Sequence, residues 1–126
     1  MKEIITTDGA PAPIGPYNQA VKAGNTLYVS GQIPMDVENG GVIPQGIAEQ
    51  TQVVMKNLQA ILSEAGLGFG NVVKCSIFIK DMNDFAAINE VYGSYFTESD
   101  APARETVEVS RLPKDVNVEI SCIAVG

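Results

Sequence analysis

Six stretches of the chain are rich in apolar and β-branched residues, several of them alternating with polar ones, and this pattern predicts β-strands. The stretches are 2–6, 18–23, 26–32, 71–80, 103–111 and 116–125. Gly24 and Asn25 separate the second from the third, which predicts a β-hairpin. In the fourth strand, alternation predicts that one face carries Val73, Cys75, Ile77 and Ile79 and the other carries Lys74, Ser76 and Phe78.

Two longer stretches follow the period of an α-helix. Residues 46–65 repeat apolar side chains at Ile47, Val54, Leu58, Ile61, Leu62 and Ala65. Polar residues of this helix fall largely on its other side, at Gln50, Gln52, Lys56, Asn57 and Gln59, and Gly66 is expected to end it. The second helix is predicted over residues 83–96, with an apolar stripe of Phe85, Ile88, Tyr92 and Tyr95.

The order of these elements predicts an α+β fold, in which one sheet carries both helices on one face. A length of 126 residues indicates a single domain over residues 1–126. The last strand has apolar residues on both of its faces, since Val118 and Ile120 alternate with a set that includes Ile123. Because a monomer seldom leaves such a sheet face to water, we expect it to be buried in a closed homo-oligomer.

The charge of the chain restricts its partners. Eight basic and fifteen acidic residues give a formal charge of −7, which repels phosphate backbones and anionic membranes. No apolar run approaches the roughly 18 residues that a membrane span needs, and the first residues lack the layout of a signal peptide. We therefore expect a cytoplasmic protein with neither a nucleic-acid nor a membrane partner.

The chain contains no histidine, which removes the Ser-His-Asp and Cys-His triads and the common metal sites built from histidine. Cys75 and Cys122 lie in apolar strands and are read as reduced, buried thiols rather than as a redox pair. No glycine loop for a phosphate is present. No metal or organic cofactor is expected.

Two charged residues are candidates for chemistry, and each has an ordinary alternative. Arg104 stands at the start of a strand, where it is either a solvated charge or a fork that binds a carboxylate or phosphate. Alternation places Thr106 on its face and Glu105 on the opposite one. Glu119 lies between apolar neighbours, and it either faces water or lines a pocket as a general base.

Three further residues could line a pocket. Tyr17 follows the proline-fixed segment at 14–16, where its ring either packs the loop or forms a wall with a hydroxyl. Ser30 and Gly31 end an apolar strand, and Gly31 either permits close approach of a ligand or marks a β-bulge.

Four motifs in order resemble the Rid family, also called YjgF. They are IGPYNQA (14–20), SGQIP (30–34), FIKDMNDFAAINEVY (78–92) and PARETVEVSRLPKDVNVEI (102–120). The resemblance spans nearly the whole chain and is closest to the branch of 2-iminobutanoate/2-iminopropanoate deaminases. It implies a chorismate-mutase-like fold and a homotrimer with a central β-barrel, in which the active sites lie in clefts between subunits.

The resemblance also implies an activity, the hydrolysis of reactive 2-imino acids to 2-oxo acids and ammonia as metabolite damage control. Arg104 matches the arginine that binds the substrate carboxylate, and Glu119 matches the glutamate that positions water. The remaining matched positions imply a substrate-binding set of Tyr17, Ser30, Gly31, Asn89, Tyr92 and Thr106, with Tyr17 supplied by the neighbouring subunit.

Two positions depart from the family pattern. Thr106 stands where many members have Cys, which is harmless if the contact is through the backbone. Glu105 replaces a small residue and leaves the substrate range open. Three alternatives to the deaminase are compatible with the sequence: a ligand-binding or regulatory trimer, a ribonuclease and translation inhibitor, or a protein with a chaperone-like role. The negative charge and the lack of histidine disfavour the ribonuclease.

Overall fold

A computed structural model describes residues 1–126 as one six-stranded sheet with two helices. The strands are β1 (Lys2–Ile5), β2 (Ala20–Ala23), β3 (Thr26–Gln32), β4 (Val72–Ile79), β5 (Ala103–Glu108) and β6 (Val118–Val125), and the helices are α1 (Ile47–Glu64) and α2 (Phe85–Gly93). Their order across the sheet is β1-β2-β3-β6-β4-β5, with β4 and β5 parallel and every other pair antiparallel. The predicted α+β fold is confirmed.

The predicted turns have clear local causes. Gly24 takes a φ of 61° in the β2–β3 hairpin, a conformation that glycine adopts without strain. At the end of α1 the amide of Leu67 donates to the carbonyl of Leu62 at 2.8 Å, and Gly66, with a φ of 76°, makes this reversal possible. None of the helices is long and apolar enough to cross a membrane.

The core lies between the two helices and one face of the sheet, here called the helix face. Its buried side chains include Leu58 and Ile61 from α1, Ile88 from α2, and Ile77 and Ile120 from the central strands β4 and β6. The other face of the sheet, here called the open face, carries exposed apolar side chains at Ile4, Tyr28 and Val107. Both helices are thus on one side, as predicted.

Alternation along β4 fails at its start. Alternation predicts Val73 on the same face as Cys75, which is buried, but Val73 is 49% exposed and Val72 is buried instead. The pairing with β6 explains the error, because the register shifts between Val72 and Lys74 and leaves Val73 as an extra residue in a β-bulge. From Cys75 onward the predicted faces are correct.

Two polar residues of α1 that were placed away from the core are buried instead. The side-chain amide of Gln50 donates to the carbonyl of Pro44 at 2.9 Å and to Asn117 Oδ1 at 3.0 Å. Asn57 Nδ2 lies 3.1 Å from the carbonyl oxygens of both Ile33 and Met35. These amides are buried because they satisfy loop carbonyls that no strand or helix pairs.

The ends of most predicted elements differ from the structure by one or two residues, and those of two elements differ by three. Strand β5 stops at Glu108 rather than at residue 111, and α2 covers Phe85–Gly93 rather than 83–96. Residues Met82–Asp84 form a separate 3₁₀ turn before α2, where the Asp81 side chain accepts from the Asn83 amide at 2.9 Å. Asp81 therefore caps the 3₁₀ turn and not the α-helix.

Candidate active site in two halves

Seven of the eight predicted site residues, all except Thr106, line two separate cavities that share no residue. The arginine cavity, of about 430 Å³, lies beside α2 and is lined by Asn89, Tyr92, Gly93, Phe96, Thr97, Glu98, Ala101, Pro102 and Arg104. The glutamate cavity, of about 650 Å³, is lined by Ile14, Tyr17, Ser30, Gly31, Ile33, Pro113, Lys114 and Glu119. No three His, Cys, Asp or Glu side chains form a group that could hold a metal ion.

Arg104 is held in place by α2 on the helix face of the sheet. Its Nη1 donates to Asn89 Oδ1 at 2.6 Å. Its guanidinium carbon lies 5.6 Å from the centre of the Phe85 ring and 5.1 Å from that of Tyr92, within cation–π range. Arg104 makes no ion pair in the chain, so its charge is left for a ligand. Asn89 and Tyr92, expected at the substrate, contact the arginine itself.

A group of weakly partnered polar atoms lies near Arg104. The hydroxyl of Tyr92 is buried beside the Cys75 thiol without a well-formed hydrogen bond, and Thr106 Oγ1 is buried without a partner. Burial raises the pKa of both Cys75 and Tyr92, so each stays protonated at neutral pH. Cys75 is therefore an inert thiol. It pairs in register with Cys122 across β4 and β6, and burial raises the pKa of Cys122 to about 12.

Glu119 projects from the open face of β6 into the glutamate cavity. Its carboxylate packs against Gly31, where an added Cβ would lie 2.8 Å from Glu119 Cδ. The absence of a side chain at residue 31 thus leaves room for the Glu119 carboxylate. Glu119 makes no ion pair, and burial alone raises the pKa of its carboxyl above the ordinary value of 4.5. A raised pKa suits a group that must hold and release a proton.

Ser30 and Gly31 form the β-bulge that the sequence left as an alternative. The pairing of β3 with β6 gains one residue between Val29 and Gln32. The Ser30 hydroxyl donates to the carbonyl of Asn18 at 2.6 Å and so ties the bulge to the segment that carries Tyr17. Ser30 therefore acts on the cavity by holding the backbone of Asn18, the residue next to Tyr17.

Tyr17 forms one wall of the glutamate cavity and is half exposed. The segment before it is fixed by Gln19, which sequence reasoning missed. Gln19 is buried; its Nε2 lies 3.0–3.1 Å from the carbonyl oxygens of Thr7, Ala10 and Pro11, and its Oε1 accepts from the Thr7 amide at 2.7 Å. An amide directly after a proline-rich segment is the signal that could have found it.

Arg104 and Glu119 do not meet within one chain. Arg104 pairs in register with Cys75, whose side chain is in the core, whereas Glu119 pairs with Phe78 on the open face. The two charges therefore lie on opposite sides of the sheet. Each cavity holds half of the expected chemistry.

Glu105 faces away from Arg104, as alternation predicted. Its carboxylate lies 3.0 Å from Lys74 Nζ and accepts a short hydrogen bond from the Ser76 hydroxyl. The Ser76 hydrogen bond, together with Lys74, holds the pKa of Glu105 below its ordinary value. Within the chain this charge is paired on the open face, away from the arginine cavity.

Comparison with known proteins decides the family. A model of the family described as Endoribonuclease L-PSP matches residues 7–126. The chain belongs to this family, also called Rid or YjgF. A RutC family protein of Pyrococcus horikoshii is 56% identical to this Rid-family chain over 124 residues, which are 98% of each chain. The 2-iminobutanoate/2-iminopropanoate deaminase of Escherichia coli K12 is 50% identical over 127 residues, covering 99% of this chain and 98% of its own.

Solved structures of the Rid family share the fold. The YjgF gene product of E. coli superposes with a TM-score of 0.91 at 49% identity, covering 98% of each chain. The structure of E. coli TdcF with bound serine superposes with a TM-score of 0.92 at 47% identity, again covering 98% of each chain. The resemblance seen in the sequence motifs is thereby confirmed at the level of family and fold.

Proposed function

We propose that this chain is a deaminase that hydrolyses small 2-imino acids, 2-iminobutanoate and 2-iminopropanoate, to 2-oxo acids and ammonia. The observation that carries the proposal is the unpaired Arg104, held by Asn89 and two aromatic rings at the edge of a cavity. A fixed guanidinium without an ion-pair partner is suited to a ligand carboxylate, which every substrate of this class carries. The 50% identity to the E. coli deaminase supports the same substrate class.

The complete site requires a second subunit in this proposal. Arg104 and Glu119 lie on opposite faces of one sheet, and a small imino acid cannot reach both in one chain. A homotrimer that buries the open faces in a central barrel would place the arginine cavity of one subunit beside the glutamate cavity of the next. The exposed Ile4, Tyr28 and Val107 on the open face support such burial.

The proposed mechanism begins with orientation. Arg104 binds the substrate carboxylate and thereby fixes the imine carbon relative to the glutamate cavity, which is mainly an effect of positioning. Glu119 accepts a proton from water as the water oxygen bonds to the imine carbon. Glu119 then passes this proton to the imine nitrogen, which gives a neutral carbinolamine. The proton of the new hydroxyl is next transferred to the same nitrogen as the carbon–nitrogen bond breaks, so ammonia leaves and the oxygen becomes the carbonyl of the 2-oxo acid.

A ligand-binding protein without catalysis is the second candidate. It is favoured by the relative whose structure holds serine, a small amino acid that also carries a carboxylate. The same Arg104 would serve both roles. Ribonuclease activity, suggested by the description of the family, is disfavoured because the chain has a charge of −7 and no histidine.

A coupled assay separates these candidates. A threonine dehydratase generates 2-iminobutanoate while semicarbazide competes for the imine, and the ratio of 2-oxobutanoate to trapped product is followed. We expect the wild type to accelerate hydrolysis and Arg104→Ala to lower kcat/KM by about 100-fold, since a bidentate charged pair is worth about 3 kcal/mol. Lys22→Ala removes a cation outside both cavities and should have no effect.

The Arg104→Lys variant refines the result. It keeps the charge but loses the planar fork, so it should recover only part of the activity. If the wild type binds 2-oxobutanoate in a calorimetric titration but does not accelerate hydrolysis, the ligand-binding role replaces the deaminase. An unchanged kcat/KM in Arg104→Ala would remove the arginine from the mechanism.

A further inference from the structure

The glutamate cavity contains a second charged residue, one that the sequence analysis did not single out. Lys114 lines this cavity together with Glu119 and Tyr17. The other lining side chains are apolar or carry hydroxyls, so Lys114 is the one cation of this half of the site. It belongs to the turn between β5 and β6, a few residues before Glu119.

The turn that carries Lys114 is anchored at both ends. Leu112 and Val116 are buried on either side of it. The Asp115 amide donates to the carbonyl of Leu112 at 3.0 Å, and the Val116 amide donates to that of Pro113 at 3.3 Å. The position of Lys114 at the cavity is therefore set by the core and by backbone hydrogen bonds.

The backbone of this turn is strained. Lys114 and Asp115 each have a φ of 56°, and they are the only residues other than glycine with a positive φ. Glycine would adopt this conformation at no steric cost, and asparagine at little. Strained residues persist where the surrounding structure enforces them, and they concentrate at functional sites. The sequence has a long cationic side chain at a position that favours glycine.

The charge of Lys114 is not consumed within the chain. Its neighbour Asp115 is bound instead by Arg111, with Nε to Oδ1 at 2.6 Å and Nη2 to Oδ2 at 3.3 Å. Arg111 also holds the pKa of Asp115 below its ordinary value, so that carboxylate stays ionised and paired. Lys114 itself forms no ion pair. Its ammonium is therefore available to an anion that enters the cavity.

We propose that Lys114 is a substrate-binding residue, whose ammonium attracts and holds the carboxylate-bearing ligand in the half-site of Glu119. The proposal rests on the proposed function in that it takes small 2-oxo and 2-imino acids as the ligands. An anion approaching a chain of charge −7 and the Glu119 carboxylate is repelled, and Lys114 offsets that repulsion locally. Lys114 thus acts on affinity and on the rate of entry, while Glu119 acts on the chemical step.

The test is a calorimetric titration of the intact oligomer with 2-oxobutanoate at low and high ionic strength. We expect Lys114→Gln to raise Kd and KM by about 10-fold at low salt with kcat unchanged, and the difference to shrink at high salt because screening weakens the attraction. Lys114→Arg should bind as the wild type does. Lys22→Gln, which removes a cation outside the cavity, is the matched control and should leave Kd unchanged.

Two glycine variants test the strain. Lys114→Gly should raise Tm, because the backbone conformation is then unstrained, and should weaken binding at the same time. Asp115→Gly relieves strain at the same φ, keeps Lys114 and removes a negative charge, so it should not weaken binding. If Lys114→Gly binds the ligand more weakly although it is more stable, and Asp115→Gly does not bind it more weakly, then Lys114 acts in ligand binding and not in maintaining the structure.

The outcomes separate this inference from the proposed function. If the wild type binds 2-oxobutanoate and Lys114→Gln binds it equally well at low salt, Lys114 is not a binding residue and the inference is overturned alone. If the wild type neither binds the oxo acid nor hydrolyses the imine, the proposed function fails and this inference fails with it. A fall in kcat without a change in Kd would also overturn the inference.

Discussion

The guanidinium of Arg104 has three neighbours from α2, and they change the roles expected of single residues. Asn89 accepts a hydrogen bond from it, and the rings of Phe85 and Tyr92 lie within cation–π distance. Asn89 and Tyr92 are thus positioning residues for the arginine within the chain. Phe85, assigned from sequence only to the apolar stripe of its helix, joins them.

Glu119→Gln is expected to separate activity from stability. If Glu119 is the general base, the variant should lose about 100-fold or more in kcat. Burial raises the pKa of Glu119 above 4.5, so the wild-type activity should fall as pH drops through this raised pKa. Initial rates against pH, with Lys22→Ala as the control, test this. A glutamine variant with wild-type kcat would exclude Glu119 as the base.

The same variant is expected to be more stable than the wild type, although it is less active. A carboxyl with a raised folded pKa contributes stability that is full below its unfolded pKa and is lost as pH rises through the folded pKa. Glutamine resembles the protonated form, so Glu119→Gln should have the higher Tm at neutral pH. The Tm values of the variant and the wild type should converge when the pH falls below the ordinary pKa of glutamate. Equal Tm values at every pH would show that the burial of Glu119 carries no such cost.

At the scale of elements, alternation and helical periodicity predicted six strands and two helices, because each buries one face against the same core. They did not predict the bulge at Val73, since a bulge is a property of two paired strands, whereas at Ser30–Gly31 the glycine itself had indicated a bulge as one of two alternatives. The burial of Gln50 and Asn57 was not predicted either, because it depends on partners that are remote in the sequence: Gln50 bonds Asn117, and Asn57 bonds the carbonyls of Ile33 and Met35. Lys114 was not identified as a candidate residue, because its strained conformation appears only in the backbone angles of the structure.

Asn57→Leu tests the role of α1 as a support for the loop after β3. The variant removes a donor from the carbonyls of Ile33 and Met35, of which only that of Ile33 keeps another, the Met35 amide, so we expect a loss of about 1–3 kcal/mol in the free energy of unfolding. Gln59→Leu, on the exposed side of the same helix, is the matched control and should change it by less than about 0.5 kcal/mol. Urea unfolding at equal protein concentration provides the measurement. Equal losses in both variants would refute the assigned role.

At the scale of the whole molecule, the sheet divides the charged groups into two sets. Arg104 lies on the helix face, while Glu119 and the Lys74–Glu105 pair lie on the open face. The sequence motifs predicted which residues matter, but no sequence pattern shows that they form two cavities. That separation depends on the faces of β5 and β6 and on the strand β4 between them.

Subunit complementation follows from this separation if the halves combine between chains. Arg104→Ala and Glu119→Gln are each expected to be inactive, yet a mixed trimer has one interface with both native residues. Random mixing in equal amounts should restore about one quarter of the wild-type activity. Each site has a native Arg104 in about half of the cases and, independently, a native Glu119 in about half. Co-expression with two affinity tags and native mass spectrometry would verify the mixed oligomers. Verified mixed trimers without activity would show that each site is complete within one chain.

The contact of Gly31 with the Glu119 carboxylate has a consequence for how such a chain can change over generations. A side chain at position 31 and a glutamate at position 119 compete for the same space. A side chain at position 31 therefore requires the Glu119 carboxylate to move out of the space that it occupies, whereas a shorter residue at 119 would leave room for it. The two positions are thus coupled by the space that they share, and an engineered library that varies both together would sample combinations that single substitutions cannot reach.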